Sequence, residues 1–180
     1  MVPPEKQQTM RIVEANASDA AHIALLARIT FTETFGHFFT DKTDLHQYLN
    51  QTFGVKKIRN SIEKPNNIFW LAFIEELPVG YAKLKLNSPS QFITAENLCQ
   101  LQKIYVLKDF LSKKVGHSLQ NELLKRAAES NSERVWLSVL KSNVRAIKFY
   151  EKNGFETIGD HDFQIGKEHF EFQAMAKNLT

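Results

Sequence analysis

The sequence predicts a single α/β domain with a mixed, mostly antiparallel central sheet flanked by helices. Three observations lead to this prediction. An alternating apolar stretch that begins at Arg134 passes directly into a helix capped by Asn143. Strand-like segments joined by short turns occur over residues 68–86 and 155–176, which favours antiparallel hairpins. At 180 residues the chain has the length of one domain and can bury a complete core.

The N-terminal third is predicted to hold an arm, a strand and three helices. The first ten residues combine two prolines with polar residues and no apolar signal-peptide core, so we expect a loose arm over residues 1–9 and one domain over residues 10–180. A strand is predicted at Met10–Glu14. Ser18 and Asp19 are expected to cap a first helix, whose apolar residues recur at helical spacing: Ile23, Ala24, Ala27, Phe31 and Phe35. Two further helices are predicted, over residues 43–53 and 55–63.

The middle of the chain is predicted to form most of the sheet. Two strands, residues 68–75 and 79–86, are expected to pair around a turn at residues 76–78. A polar loop then leads to a strand at Leu98–Val106, and a helix follows at Val115–Ser130 with its apolar residues on one face. The lone cysteine, Cys99, falls in the alternation of that strand and is interpreted as a buried structural residue.

The C-terminal part carries the most informative segment. A buried strand around Val135–Val139 is followed by a helix that begins after Asn143 and contains the pair Phe149-Tyr150. Asn153-Gly154 is a helix-stop signal, after which two strands, residues 155–165 and 169–176, are predicted to pair around Gly166-Lys167.

The segment from Asn143 to Phe155 resembles the last motif of the GNAT N-acetyltransferase superfamily, N-x-x-A-x-x-F-Y-x-K-x-G-F. The matching residues are Asn143, Ala146, Phe149, Tyr150, Lys152, Gly154 and Phe155. The resemblance extends from about Arg11 to Leu179 and is greatest for bacterial spermidine/spermine N-acetyltransferases of the Pai type. Those proteins share Thr32–Phe35, the strand end at residues 103–106 and the final hairpin with its Met175-Ala176-Lys177 ending. It implies the GNAT (acyl-CoA N-acyltransferase) fold, acetyl-CoA as co-substrate and a small-molecule amine as acceptor, such as the polyamine spermidine.

A loop before the Val115 helix is predicted to bind the diphosphate of the co-substrate. A helix N-terminus presents unpaired N–H groups and a positive dipole end, which suit a diphosphate. The superfamily has Q/R-x-x-G-x-G/A here; Gly116 fits, whereas Leu111 replaces the Gln or Arg and Lys114 replaces a glycine. Lys113 and Lys114 are expected either to add charge to the phosphates or to be a solvated pair. The predicted binding residues are Leu111, Ser112, Lys113, Lys114, Val115, Gly116, His117 and Ser118.

The resemblance also implies roles near the reacting atoms. The backbone of Ile104, Tyr105 and Val106 would hold the pantetheine arm and direct an N–H at the thioester carbonyl. Tyr150 would donate a proton to the departing sulfur, because a phenol is protonated at neutral pH. Asn143 would contact the pantetheine, or cap its helix, or do both. The remaining residues implied at the co-substrate site are Ala146, Phe149 and Lys152.

No general base is evident in the sequence. Relatives often have a glutamate where this chain has Gln102, which cannot ionise. A chain of waters, Glu33 and Glu96 therefore stay as alternatives. Glu33, Phe35 and Gln102 are the predicted acceptor-side residues, although the aromatic residues near Phe35 also fit plain helix packing.

Composition argues against other classes of function. The net charge of +3 is spread along the chain without a basic block, so we expect no nucleic-acid partner. No apolar run approaches the ~20 residues of a membrane span, and the six histidines show no metal-ligand spacing, so we expect neither a membrane role nor a metal. A cytoplasmic enzyme is expected, as a monomer or a homodimer. Two alternatives stay open: a protein or peptide N-acetyltransferase, and an acyl-CoA-binding sensor with weakened catalysis.

Overall fold

Seven strands form one sheet in the order β1-β2-β3-β4-β5-β7-β6 in a computed structural model, which describes residues 8–179. The strands are β1 (Met10–Glu14), β2 (Asn67–Ile74), β3 (Leu77–Lys85), β4 (Leu98–Val106), β5 (Arg134–Leu140), β6 (Glu156–Ile165) and β7 (Glu168–Asn178). The helices are α1 (Ala20–Phe35), α2 (Lys42–Thr52), α3 (Val55–Ile62), α4 (Val115–Glu129) and α5 (Val144–Lys152). Every neighbouring pair is antiparallel except β4 and β5, so the predicted mixed, mostly antiparallel sheet is confirmed.

The pairing of β4 with β5 is short. It joins Leu98–Gln100 to Arg134–Trp136 and then stops, although β4 continues to Val106 and β5 to Leu140. On its other edge β4 stays paired with β3 as far as Val106. The two parallel strands therefore separate, and the facing edges of their C-terminal halves lack strand partners.

Each face of the sheet carries its own hydrophobic cluster. Helix α4 packs against one face through Val115, Leu119, Leu123 and Ala127, all of which are fully buried. Helices α1, α2 and α3 cover the other face, where Phe31 and Phe35 stack with their ring centroids 4.5 Å apart. The apolar face predicted for α1 is buried along its whole length. Within the described residues, no helix is both long and apolar enough to cross a membrane.

Two local predictions differ from the structure. Asp19 is the N-cap of α1 but makes no side-chain cap hydrogen bond there; Asn16 instead caps a short 3-10 turn at Ala17–Asp19, where its side chain accepts a hydrogen bond from the Ser18 N–H in a capping box with Asp19. The β2–β3 turn is at Glu75-Glu76, because Glu75 adopts a left-handed conformation with φ of 53°. Pro78 thus belongs to β3, next to a register shift in the β2–β3 ladder.

The predicted N-terminal arm lies largely outside the described residues, since residues 1–7 are not included. At its end the Thr9 N–H donates to Glu75 Oε1 (3.0 Å), and the Glu75 N–H donates to the Thr9 carbonyl (2.9 Å). Thr9 is therefore tied to the end of β2 and continues the line of β1.

Candidate active site

A cleft of about 1110 Å³ opens where β4 and β5 separate. Its walls are the C-terminal half of β4, the start of α4, the start and inner face of α5, and the end of α1. The predicted residues that line it are Glu33, Ile104, Tyr105, Val106, Leu111, Ser112, Lys114, Gly116, His117, Asn143, Ala146, Phe149, Tyr150 and Lys152. Residues distant in sequence thus meet in one cavity.

Five predicted residues do not line this cleft. Val115 is fully buried in the cluster beneath α4, so its side chain packs the core and only its main chain is near the cleft. Lys113 and Ser118 lie beside the cleft without contributing to its lining. The other two, Phe35 and Gln102, line a smaller neighbouring hollow.

Helix α4 begins at the cleft with an unusual N-cap. Lys114 has φ of 60° and ψ of 13°, the left-handed conformation that glycine adopts most readily. The sequence left open how Lys114 replaces glycine here; the backbone keeps the glycine-like conformation. Gly116 faces open space, since a Cβ built on it would meet only Val106 Cγ2 at 3.9 Å. The first N–H groups of α4 therefore border the cleft without a bulky side chain at Gly116.

Helix α5 places Tyr150 in the cleft. Asn143 Oδ1 accepts a hydrogen bond from the Ala146 N–H (3.2 Å), and this cap fixes where the helix begins. Tyr150 lies two turns later and is 7% exposed, with its ring against Phe149 and Phe155 at centroid distances of 5.4 and 5.6 Å. Burial, and secondarily the nearby Tyr105 phenol, raises the pKa of Tyr150 well above its usual value. The phenol is therefore protonated across the physiological range.

A hollow of about 60 Å³ adjoins the cleft beside Phe35 and Gln102, two of the residues predicted to face the acceptor. It shares Tyr150, Asn143 and Ile104 with the cleft, and it continues between the separated strands to the face covered by α1. The residues found only in the hollow are Phe35, Leu101, Gln102, Lys103, Ser138, Val139 and Phe172. Tyr150 thus lies at the junction of the two cavities.

Two lysines lie on the face of the sheet that helices α1, α2 and α3 cover. Lys83 and Lys103 are opposite each other on β3 and β4, and Lys83 Nζ donates to Ser61 Oγ (3.2 Å). Burial, followed by the charge of Lys103, lowers the pKa of Lys83 to about 8, and burial also lowers the pKa of Lys103. Their ammonium groups lie 5.2 and 5.7 Å from the rings of Phe69 and Phe53. Neither forms a salt bridge within residues 8–179.

The residues proposed as a base are less favourably placed. Glu33 lines the cleft, and its Oε2 accepts a hydrogen bond from the Lys108 N–H (3.1 Å). Glu96 is exposed in the loop before β4 and lines neither cavity. Gln102 lines the hollow but has no ionisable group.

Several lining residues were absent from the sequence predictions. They are Thr34, His37, Phe38, Leu101, Lys103, Lys108, Ser138, Val139, Leu140, Ser142, Arg145, Asn153 and Phe172. Most come from element ends that only the tertiary fold brings to the cleft. Arg145 and Asn153 are exceptions, since they lie inside the motif from Asn143 to Phe155 and could have been included from sequence alone.

The charge distribution of the cleft suits a polyanionic ligand. Four cationic residues line it, namely Lys108, Lys114, Arg145 and Lys152, and Glu33 is the one carboxylate among the described lining residues. The start of α4 adds main-chain donors where Gly116 leaves room. This combination fits the diphosphate and 3′-phosphate of a coenzyme A thioester.

Comparisons with known proteins agree with this geometry. Residues 29–155 match the Acetyltransferase (GNAT) family. An uncharacterised N-acetyltransferase of Lactobacillus delbrueckii subsp. lactis is 25% identical over 157 residues, covering 87% of this chain and 90% of that protein. A spermidine N(1)-acetyltransferase of Thermoplasma acidophilum is 22% identical over 167 residues, or 89% and 98% of the two chains. The crystal structure of the PaiA N-acetyltransferase of the same organism, in complex with coenzyme A, superposes with a TM-score of 0.74 at 21% identity over 94% of this chain and 99% of that one.

Proposed function

The chain belongs to the GNAT family of acetyltransferases and is an acetyl-CoA-dependent N-acetyltransferase, and from this premise we propose that its acceptor is the primary amine of a small molecule, a polyamine such as spermidine. One observation carries the proposal: the buried Tyr150 phenol lies where the cationic cleft meets the acceptor-side hollow. An enzyme that joins two substrates needs its proton donor at such a junction.

Different groups of the protein act at different positions along the cleft. The first N–H groups of α4 bind the diphosphate beside Gly116, and Lys114 adds positive charge at the same end. The free edge of β4, from Ile104 to Val106, offers main-chain donors and acceptors to an extended pantetheine arm. Bound acetyl-CoA would supply the thioester carbon that the amine attacks and the sulfur that departs. Tyr150 donates its proton to that sulfur.

Polyamines are favoured by two relatives and one carboxylate. The relatives are the spermidine N(1)-acetyltransferase of T. acidophilum and a spermine/spermidine N(1)-acetyltransferase of Bacillus subtilis that is 23% identical over 125 residues, or 67% of this chain and 82% of that protein. Glu33 at the cleft wall would pair with a distal ammonium group of the polyamine, through the carboxylate oxygen that does not accept from Lys108.

A second acceptor class is favoured by the two lysines. Lys103 lines the hollow and Lys83 lies opposite it on β3, so positive charge is present on the acceptor side. An amine that also carries a carboxylate would gain from this charge, whereas a polyamine would be repelled by it. The preference among acceptors will therefore show whether the negative charge of Glu33 or the positive charge of Lys103 has the greater effect.

Thiol release from acetyl-CoA with a panel of amines tests both candidates. Spermidine, propylamine and β-alanine present a primary amine with a distal cation, no second charge and a carboxylate, respectively. We expect the highest kcat/KM with spermidine, and a Glu33→Gln variant should lower that value about tenfold without affecting propylamine. Glu96→Gln is the matched control, because Glu96 lies outside both cavities.

Two other results from the same panel of amines would contradict the proposal. A preference for β-alanine would transfer the assignment to carboxylate-bearing amines. Binding of acetyl-CoA without thiol release for any small amine or peptide would favour an acyl-CoA sensor. We propose a cytoplasmic location, since the reaction consumes acetyl-CoA.

A further inference from the structure

Ser138 on β5 and His161 on β6 form a hydrogen bond, with Ser138 Oγ 2.7 Å from His161 Nε2. We propose that this pair is a proton relay that deprotonates the acceptor amine before it attacks the thioester. The inference rests on the proposed function and supplies the base that the sequence does not reveal. A primary alkylamine has a pKa near ~10 and is mostly protonated at neutral pH, so such a group is required.

Ser138 is placed to meet the amine. It lines the hollow together with Tyr150 and Gln102, next to the point where β4 and β5 separate. Along β5, Val135, Leu137 and Val139 pack into the cluster beneath α4, so the alternation of the strand directs Ser138 to the opposite face, where α1 lies. That face is the acceptor side of the cavity.

His161 lies behind Ser138 and is held by aromatic rings. Its imidazole stacks on Phe172 with a centroid distance of 5.5 Å and an interplanar angle of 13°, and Phe92 lies on another side at 6.2 Å. Two small residues make room for this arrangement, since a Cβ on Gly159 would clash with the Phe92 ring and Ala174 separates Ser138 from Gly159 across β7. The ring can therefore reach over β7 to Ser138.

The path continues from the hollow to solvent. Strand β6 is an edge strand, and His161 is half-buried on it, so a proton received at Nε2 can be matched by release from Nδ1 to water. The charged side chains nearest in the strand are Asp160, which pairs with Lys141 at 3.0 Å, and Asp162. Both alternate to the other side of β6 from His161.

The proposed step balances in protons and electrons. One ammonium proton passes to Ser138 Oγ as the Ser138 proton passes to His161 Nε2, which leaves a neutral amine with a free electron pair. That pair forms the new C–N bond while the C–S bond breaks. Tyr150 gives its proton to the sulfur. The nitrogen then loses its second proton, which returns to Tyr150 through solvent. His161 finally releases one proton to water, so acetyl-CoA and the alkylammonium become the amide, coenzyme A and H⁺.

The inference is tested with acceptors that differ in protonation. Propylamine is charged at pH 7, whereas O-methylhydroxylamine is a primary amine that is already neutral and needs no deprotonation. We expect His161→Gln and Ser138→Ala to lower kcat/KM for propylamine by about 10²–10⁴-fold, the range of a positioned base. With O-methylhydroxylamine the same variants should stay within about threefold of the wild-type protein. Ser138→Thr, which keeps a hydroxyl, should restore most of the propylamine activity.

The controls separate a relay from a structural contact. His169→Gln, on an exposed position of β7, should leave both substrates unaffected. Equal losses on both amines, or no loss on either, would overturn the relay, and a thermal melt of each variant identifies misfolding. Should His161→Gln not fold, the comparison of Ser138→Ala with Ser138→Thr decides alone. Absence of wild-type turnover on spermidine as well as on both of these amines would instead overturn the proposed function.

Discussion

At the scale of single residues, Tyr150 combines burial with a place at the junction of the two cavities. Its phenol is kept protonated because water is excluded from around it, and a donor of this kind is useful only if it faces the departing group. The Tyr105 phenol also borders both cavities, but Tyr105 lies on β4, the strand that would hold the ligand, whereas Tyr150 comes from the helix that faces it.

Replacing Tyr150 by Phe removes the acidic hydroxyl and keeps the ring. We expect kcat to fall roughly ten- to a thousandfold, while acetyl-CoA affinity, measured by calorimetry, stays within about twofold. Tyr48→Phe is the matched control, because Tyr48 lies in α2 outside both cavities. Unchanged kcat in Tyr150→Phe would remove this residue from the mechanism.

Gly116 and Gly80 differ in what an added methyl group would meet. At Gly116 the methyl meets only Val106 Cγ2 at 3.9 Å, whereas at Gly80 it would lie 2.9 Å from the Tyr105 carbonyl oxygen. We expect Gly116→Ala to leave the free energy of unfolding within ~0.5 kcal/mol of wild type but to lower acetyl-CoA affinity about tenfold by crowding the diphosphate. Gly80→Ala should cost ~1–3 kcal/mol of stability through overpacking. A normal affinity for Gly116→Ala would show that the diphosphate does not approach this residue.

At the scale of elements, the Asn143 cap holds α5, and through α5 it positions Tyr150. Asn143→Ala should cost about 1 kcal/mol of folding stability, since the Ala146 N–H loses its side-chain acceptor. Asn143→Asp keeps an acceptor at the cap and should keep most of that stability, so a difference between the two variants in chemical denaturation identifies the cap. A purely ligand-binding Asn143 would give equal unfolding curves for all three proteins.

The strand pair β3–β4 places two lysines side by side at Lys83 and Lys103. Below about pH 8 Lys83 is protonated in both the folded and the unfolded state. The burial of its charge therefore lowers the free energy of unfolding by its full amount in this range. Between pH 8 and its unfolded pKa near ~10.4 only the unfolded state holds the proton, so stability rises with pH.

Lys83→Met should therefore be stabilising at pH 7. We expect a gain of roughly 2–4 °C in Tm, the effect of ~1 kcal/mol in a domain of this size, after allowance for the partial exposure of Lys83. The advantage should shrink between pH 8 and 10. Lys125→Met, on the exposed side of α4, should show neither effect in the same thermal melts. A variant whose advantage is independent of pH would mean that packing, not charge, is responsible.

At the scale of the whole molecule, sequence predicted the kind and order of the elements well. The strands at Met10–Glu14 and Leu98–Val106 have the predicted bounds, because alternation and flanking polar loops define them locally. The turn at Glu75-Glu76 was misplaced for a local reason: the Leu-Pro pair after it is typical of turns, and a glutamate at positive φ is rare. Strand order and the early end of the β4–β5 pairing depend on long-range packing that periodicity does not encode.

The candidate site, too, could be predicted from the sequence only where its residues are close together along the chain. Asn143 and Tyr150 are seven positions apart on one helix, so their common location follows from helical geometry. Ser138 and His161 are 23 positions apart, on strands that flank a third, and no local pattern links them. The acceptor-side lysines are a similar case, because Lys83 and Lys103 become neighbours only through the β3–β4 register. Sequence therefore identified the co-substrate side more fully than the acceptor side.

The early separation of β4 from β5 has a consequence for exchange with solvent. Amide hydrogens on the free edges of residues 101–106 and 137–140 are held by no neighbouring strand, so they should exchange with deuterium faster than those of the paired segments 98–100 and 134–136. Acetyl-CoA laid against these edges should slow their exchange by tenfold or more, and residues 10–14 in β1 should be unaffected. Mass spectrometry of peptides from both regions would then show that the ligand fills the gap between β4 and β5 as an added, non-peptide strand.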